Sequence, residues 1–104
     1  WKQIKHLNSE ELFTVGGHSH EHKSLASMQI KEMRQQIRKS FYYFKIRAGI
    51  TLKHYSYPEG QKNDFNSQII NELKKRNIIS CPTAINGHNS FSTDLFKLKR
   101  IMVV

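Results

Sequence analysis

Phe13-Thr14-Val15-Gly16-Gly17-His18-Ser19-His20-Glu21-His22 is the stretch from which the rest of the chain is read. Phe13-Thr14-Val15 is a short β-rich run, and the two glycines that close it suit a strand leading into a tight turn. Three of the chain's six histidines follow at once, at positions 18, 20 and 22. Imidazole is the commonest metal ligand type, and a pair at i and i+4 converges when the chain turns helically between them. That spacing selects His18 and His22 as candidate ligands and leaves His20 a flanking residue. Ser19 and Glu21 are placed to hydrogen-bond the ligands and fix their tautomers. A polar surface loop is the plain alternative, and the clustering of histidines at a strand end weighs against it.

On the N-terminal side, Trp1, Ile4 and Leu7 recur at helical spacing, a short amphipathic turn or the end of a helix. On the C-terminal side, Ser27 is the expected N-cap of a long helix reaching about Ile46. Its apolar positions Ile30, Met33, Ile37, Phe41 and Phe44 fall at three- and four-residue steps, and Ala48-Gly49 ends it. His54 to Tyr57 is a second β-rich run, stopped by Pro58-Glu59-Gly60. Asp64 is expected to cap a second helix with Phe65, Ile69, Ile70 and Leu73 on one face. Its basic end, Lys74-Lys75-Arg76, suits the negative end of the helix dipole. Ile78 to Cys81 is a third strand, and after Asn86-Gly87-His88-Asn89 a last apolar stretch covers Leu98 to Val104.

The order strand, helix, strand, helix, strand, loop, strand is an α/β pattern with parallel strands. Chemistry in such folds lies in the loops at the C-terminal strand ends. Gly16–His22 and Tyr57–Gly60 both fall there, so the two segments are expected at one mouth.

A chain of 104 residues supports one small domain. Hydrophobic content of 38% and a mean hydropathy of −0.62 read as globular. No apolar run approaches the roughly 20 residues of a membrane helix. Trp1 in place of an initiator Met suggests a processed or truncated N-terminus. The net charge of +9 attracts polyanions such as nucleic acid, teichoic acid or anionic lipid. The basic residues are spread from Lys2 to Arg100, however, which reads as solvated helix faces and not as a specific nucleic-acid site. Cys81 stands alone, which excludes an intrachain disulfide and a cysteine-based zinc site; a buried, inert thiol is expected. Phe41-Tyr42-Tyr43-Phe44 is assigned to core packing through its two phenylalanines.

Two histidines do not complete a catalytic metal site, which needs a third protein ligand and an open position. The two aspartates, Asp64 and Asp94, are assigned to a helix cap and a late loop. Glu21, Glu59 or a group outside this chain remain, and the last is favoured.

The segment from Gly17 to Leu25 resembles the second motif, His-Ser/Thr-x-x-His, of NodB-like polysaccharide deacetylases (carbohydrate esterase family four). Tyr55-Ser56-Tyr57-Pro58-Glu59-Gly60-Gln61 resembles that family's third motif, an x-Pro-aromatic-Gly turn. Asp94 to Ile101 resembles the ending of many members. The resemblance implies a portion of a distorted (β/α) barrel, over residues 1–104, and metal-assisted hydrolysis of an N-acetyl group on a glycan. It implies that His18 and His22 hold a divalent metal, zinc or a similar ion. It implies further that the backbone N–H of Glu59 helps hold the oxyanion, and that Tyr57 and Pro58 contact substrate. Tyr55 and Tyr57 alternate in a strand, so one is expected in the core and the other along a sugar groove.

The departures are informative. The family's first motif, Thr-Phe-Asp-Asp-Gly, supplies the general base and the Asp ligand, and nothing like it occurs here. The chain is therefore expected to begin after that motif and to be inactive alone. It would need a second copy or the missing N-terminal segment as a partner, since half a barrel leaves strand edges exposed. The Arg that opens motif three corresponds to Ser56, and the aromatic after the proline to Glu59. The Leu-x-His motif is not visible; His88 is a substitute only if its loop reaches the site. The competing reading is a catalytically inactive deacetylase-like or basic polyanion-binding module.

Overall fold

The computed structural model describes residues 1–101 and 103. Its longest element is helix α2 (Ile30–Ala48), which follows α1 (Lys2–Ser9) and a 3-10 turn at Leu25–Ser27. Met33 and Ile37 are 2% and 0% exposed, so the three- and four-residue spacing does mark the buried face of α2. Ile30, the first of the series, is 41% exposed, because it precedes the point where α2 meets the core. The end of α2 is as expected. Gly49 takes the left-handed conformation, its N–H donates to Lys45 O, and the Ile50 N–H returns to Phe44 O.

The caps differ from expectation. Ser27 does not cap α2, because its hydroxyl donates to Ser24 O at 2.7 Å within the 3-10 turn. Gln29 is the N-cap, with no side-chain bond. Helix α3 (Ser67–Lys75) is capped by Asn66, whose Oδ1 accepts the Ile69 N–H at 3.0 Å. Asp64 closes the preceding turn, accepting from the Gln61 N–H at 3.0 Å. At the far end of α3, Asn77 has φ 64°, its N–H bonds Lys74 O, and the Ile78 N–H bonds Leu73 O. Ile78 and Leu73 are both buried, which completes a helix-ending motif with its apolar contact.

Ile78 is thus used by the helix end, and the third strand starts later than expected, as β1 (Pro82–Asn86). It pairs in parallel with β2 (Leu98–Arg100), Pro82 opposite Leu98 and Asn86 opposite Arg100. The register slips between these points. There Thr83 Oγ1 donates to Leu98 O at 2.8 Å and accepts the Ile85 N–H at 3.1 Å. Beyond β2, the expected stretch to Val104 includes Met102 and Val104, which lie outside the described residues.

Two parallel bridges extend the layer, Gly17 with Tyr55 and His54 with Ser80. The expected strand at Phe13–Val15 carries no bridge, the pairing falling just beyond it at Gly17, and the His54–Tyr57 run pairs only at His54 and Tyr55. Phe13 itself is 57% exposed. The segments nevertheless lie side by side in chain order, all parallel, with α2 and α3 as the crossovers. Gly17, Tyr55, Cys81 and Thr83 are buried, toward the helices. The opposite face forms an open recess of about 530 Å³ that includes His18, His54, Ser56, Ser80, Pro82 and Leu98. No helix among the described residues is long and apolar enough to cross a membrane.

Close approach makes Gly17 specific. A Cβ there would lie 2.5 Å from the Tyr55 ring and 2.8 Å from Leu52. Cys81 is fully buried and free, and burial pushes its thiol up to about 12. Burial also pushes the Tyr55 phenol up to about 12 and raises Tyr57.

Two outcomes follow from this packing. Gly17→Ala is expected to destabilise by about 1–3 kcal/mol through overpacking against Tyr55. Gly49→Ala, with a positive φ but no atom within 4 Å of the new Cβ, should lose only about 1 kcal/mol. Urea midpoints of the two variants make the comparison. The folded chain also keeps protons on Cys81 and Tyr55 that the unfolded chain releases, so the unfolded state binds fewer protons above the unfolded pKa values. The stability these groups contribute is full below about pH 9 and falls as pH rises toward about 12. Iodoacetamide labelling at alkaline pH checks it, with native Cys81 protected and the urea-unfolded chain modified.

Candidate functional site

The loop after Gly17 is held by the core beneath it. The Tyr55 hydroxyl accepts the Ser19 N–H at 2.8 Å and pairs with Ser40 Oγ at 2.8 Å. Ser40 donates its proton to Ile37 O at 2.6 Å, so it accepts from Tyr55. Buried Gln36 accepts the Glu21 N–H at 3.0 Å, and Ser19 Oγ accepts the His22 N–H at 2.9 Å. These bonds fix a bend in which Ser19 and His22 have φ of 64° and 57°. Non-glycine residues enter that region only when their surroundings over-determine it.

The result is that His18 and His22 do converge, with ring centroids 4.6 Å apart, though not through the expected helical turn. His18 is half-buried and His22 exposed. His18 Nδ1 lies 3.0 Å from Ser56 O and 2.7 Å from Ser56 Oγ. A carbonyl only accepts, so we assign the ring proton to Nδ1, which leaves the Nε2 lone pair free for a ligand. Ser19 and Glu21 do not play this part. Ser19 bonds backbone, and Glu21 pairs with Lys23 at 3.3 Å, a contact that lowers its carboxyl below the usual value. The orienting residue is Ser56, from the neighbouring strand, and no local spacing marks it. Its sequence signal is its place at the head of the Ser56-Tyr57-Pro58 turn. His20 turns away, stacked on Tyr43 with centroids 5.3 Å apart.

The second segment departs further from expectation. Tyr57 is 2% exposed, its ring stacks on Phe65 at 4.7 Å, and its hydroxyl donates to Phe96 O at 2.6 Å. Pro58 is also buried. Both Tyr55 and Tyr57 therefore belong to the core, and neither Tyr57 nor Pro58 offers a side chain to a sugar. At 2% exposure, and stacked on Phe65, the Tyr57 ring has no open face. Glu59 is exposed with φ 64°, and its N–H has no hydrogen-bond partner among the described residues. The Gly60 N–H folds back to Pro58 O at 2.8 Å and fixes the turn.

The remaining acids and histidines are occupied or distant from the pair. Asp94 accepts the Phe96 N–H at 2.9 Å, and His54 Nδ1 meets Ser80 Oγ at 2.7 Å. His88 is an exposed loop residue. Among the described residues no group of three His, Cys, Asp or Glu is placed to hold a metal ion. The donor set is thus two imidazoles, which fits part of a metal site and leaves positions to be filled from elsewhere.

Solved structures share this fold. The deacetylase PplD of Streptococcus pyogenes, in complex with acetate, matches 99% of this chain with a TM-score of 0.85 and 19% identity. IcaB from Ammonifex degensii matches 100% of it with a TM-score of 0.81, also at 19% identity. The chain spans 44% and 47% of those two chains, less than half of each. Its fold is therefore a portion of the deacetylase (β/α) barrel, with parallel strands. Among curated proteins none matches significantly. The family model for polysaccharide deacetylases matches residues 1–78, across the histidine loop, α2 and the Tyr57–Gly60 turn, and the chain belongs to that family.

Proposed function

We propose that this chain forms the later part of a catalytic domain that removes N-acetyl groups from a glycan, with His18 and His22 as two ligands of a divalent metal, zinc being the ion we favour. The observation that carries the reading is the Ser56 grip on His18 Nδ1, which leaves Nε2 free beside the His22 ring. Family membership and the deacetylase fold support it. The acetate of the Streptococcus pyogenes complex is the small product such hydrolysis releases.

When bound, such an ion polarises an acetamide carbonyl and lowers the pKa of a water molecule. The chain's own residues hold the geometry. Ser56 keeps His18 in one tautomer, as groups behind a metal-binding histidine commonly do. Tyr55 and Gln36 hold the loop that carries both imidazoles. The free Glu59 N–H is the proposed donor to the oxyanion, a role that needs the backbone and not the carboxylate. The general base and third ligand come from outside this chain, from a preceding segment of the same domain or from a second copy. Alone, the chain is inactive. Its macromolecular substrate is an N-acetylated glycan, with no specific nucleic acid in the reaction.

Metal analysis of the full-length protein is expected to find one zinc equivalent, lost in His18→Ala/His22→Ala. Ser56→Ala should weaken zinc by about tenfold in a chelator competition without unfolding the chain. No stoichiometric metal in the parent protein would end this reading. On N-acetylglucosamine oligomers, the full-length protein should release acetate and the double histidine variant should not. Glu59→Gln should retain most of the rate, because the N–H remains.

A further inference from the structure

Basic residues that are scattered in the sequence are gathered by the packing of α2 on α3. Lys31, Arg34 and Arg38 from α2 meet Lys74 and Lys75 from α3, and Arg76 that caps it, along two adjoining recesses of about 540 and 510 Å³. Arg34 and Glu72 line both, so the two form one groove. It follows α2 from Lys31 to Arg38, about 10 Å. These side chains lie on solvated helix faces, as their scatter suggested, and the packing adds that positions 31 to 76 share one surface.

The groove is organised, not merely charged. Glu72 is 9% exposed and is the lone carboxylate of the lining. Its two oxygens hold Arg34 and Arg76, each at 3.3 Å. One buried carboxylate thus orients two guanidinium groups, and six cations face one anion. The other polar lining groups are the amides of Gln35, Gln68 and Asn71.

We propose that this groove binds a phosphodiester-linked sugar or polyol polymer. Its charge complements a polyanion, and guanidinium forks suit phosphate oxygens. The amides suit hydroxyl groups between the phosphates. Nucleic acid fits less well, because these two recesses hold no aromatic ring on which a base can stack, Phe41 and Tyr42 lining the next recess beyond Arg38 and Arg76. A membrane surface fits less well too, since Ile30 is the sole apolar side chain in the lining. The preference for a glycan-type polymer is consistent with the proposed deacetylase role, but the binding needs neither metal nor catalysis.

The test is binding of the full-length protein to poly(glycerol phosphate) across a salt series. Lys31, Arg38 and Lys75 are exposed and form no ion pair among the described residues, so they can be neutralised without disturbing Glu72. Lys31→Gln/Arg38→Gln/Lys75→Gln should lower affinity at low salt by at least about tenfold and reduce the log–log salt slope by about 2. Lys2→Gln/Lys5→Gln/Lys97→Gln removes the same charge elsewhere and should change affinity by less than about twofold. If the groove triple variant fails to fold, Lys75→Gln alone should show about a third of the slope change. Equal losses in the two triple variants would overturn the proposal. So would tighter binding to oligothymidylate, or to vesicles of phosphatidylglycerol and phosphatidylcholine, than to the polymer. Loss of zinc from the histidine variants with polymer binding intact separates this proposal from the deacetylase reading.

Discussion

The structure turns on the buried Tyr55 side chain. Its ring fills the space that Gly17 leaves open, and its hydroxyl is the one polar group beneath the histidine loop that reaches Ser19. Ring and hydroxyl do different work. The ring locks the first pairing segment against the second, while the hydroxyl passes its proton to Ser40 on α2 and so keeps its lone pair for the loop. A buried hydroxyl without partners would destabilise the fold by roughly 1–3 kcal/mol; here both sides are satisfied. Among the described residues, no buried side-chain nitrogen or oxygen lacks a partner.

That arrangement explains how the loop holds residues in an unfavourable backbone region. Three of the four non-glycine residues with positive φ, Ser19, His22 and Glu59, lie in the two segments that carry the candidate site. Each such residue costs of the order of 1 kcal/mol, offset in the histidine loop by bonds to Tyr55, Gln36 and Ser19. The strain brings two imidazoles within 4.6 Å, and the neighbouring strand supplies the Ser56 bonds that orient one of them. Loop, strand and helix are thus coupled at one point. A change at Tyr55 therefore acts on the fold and on the histidine pair together.

Much of this was legible in the sequence where a single element decides the outcome. The buried face of α2 at Met33 and Ile37, that of α3 at Ile69 and Leu73, and the glycine end of α2 follow from local periodicity and backbone freedom. The parallel order of segments follows from their alternation with helices. Caps were less legible, because Ser27 and Asp64 have competing partners one turn earlier, and Asn66 was placed better. Strand positions depended on neighbours, so Ile78 went to the end of α3 and the ladder began at Pro82. The pairing of His18 with His22 was legible from spacing, but the bend that achieves it was not. Ser56 and the α2–α3 charge groove were hidden for the same reason: both are contacts between segments far apart in the chain.

In the proposed metal site, packing around Tyr55 and Ser56 prepares His18 and His22 as a pair of ligands. Nitrogen-15 NMR of the histidine rings in the full-length protein, before and during zinc addition, tests it most directly. The expected result is an Nδ1–H tautomer for His18 without metal, and zinc-dependent shifts of ring nitrogens confined to His18 and His22, with His18 responding at Nε2. An Nε2–H tautomer for His18, or zinc shifts centred on His20 or His88, would contradict it.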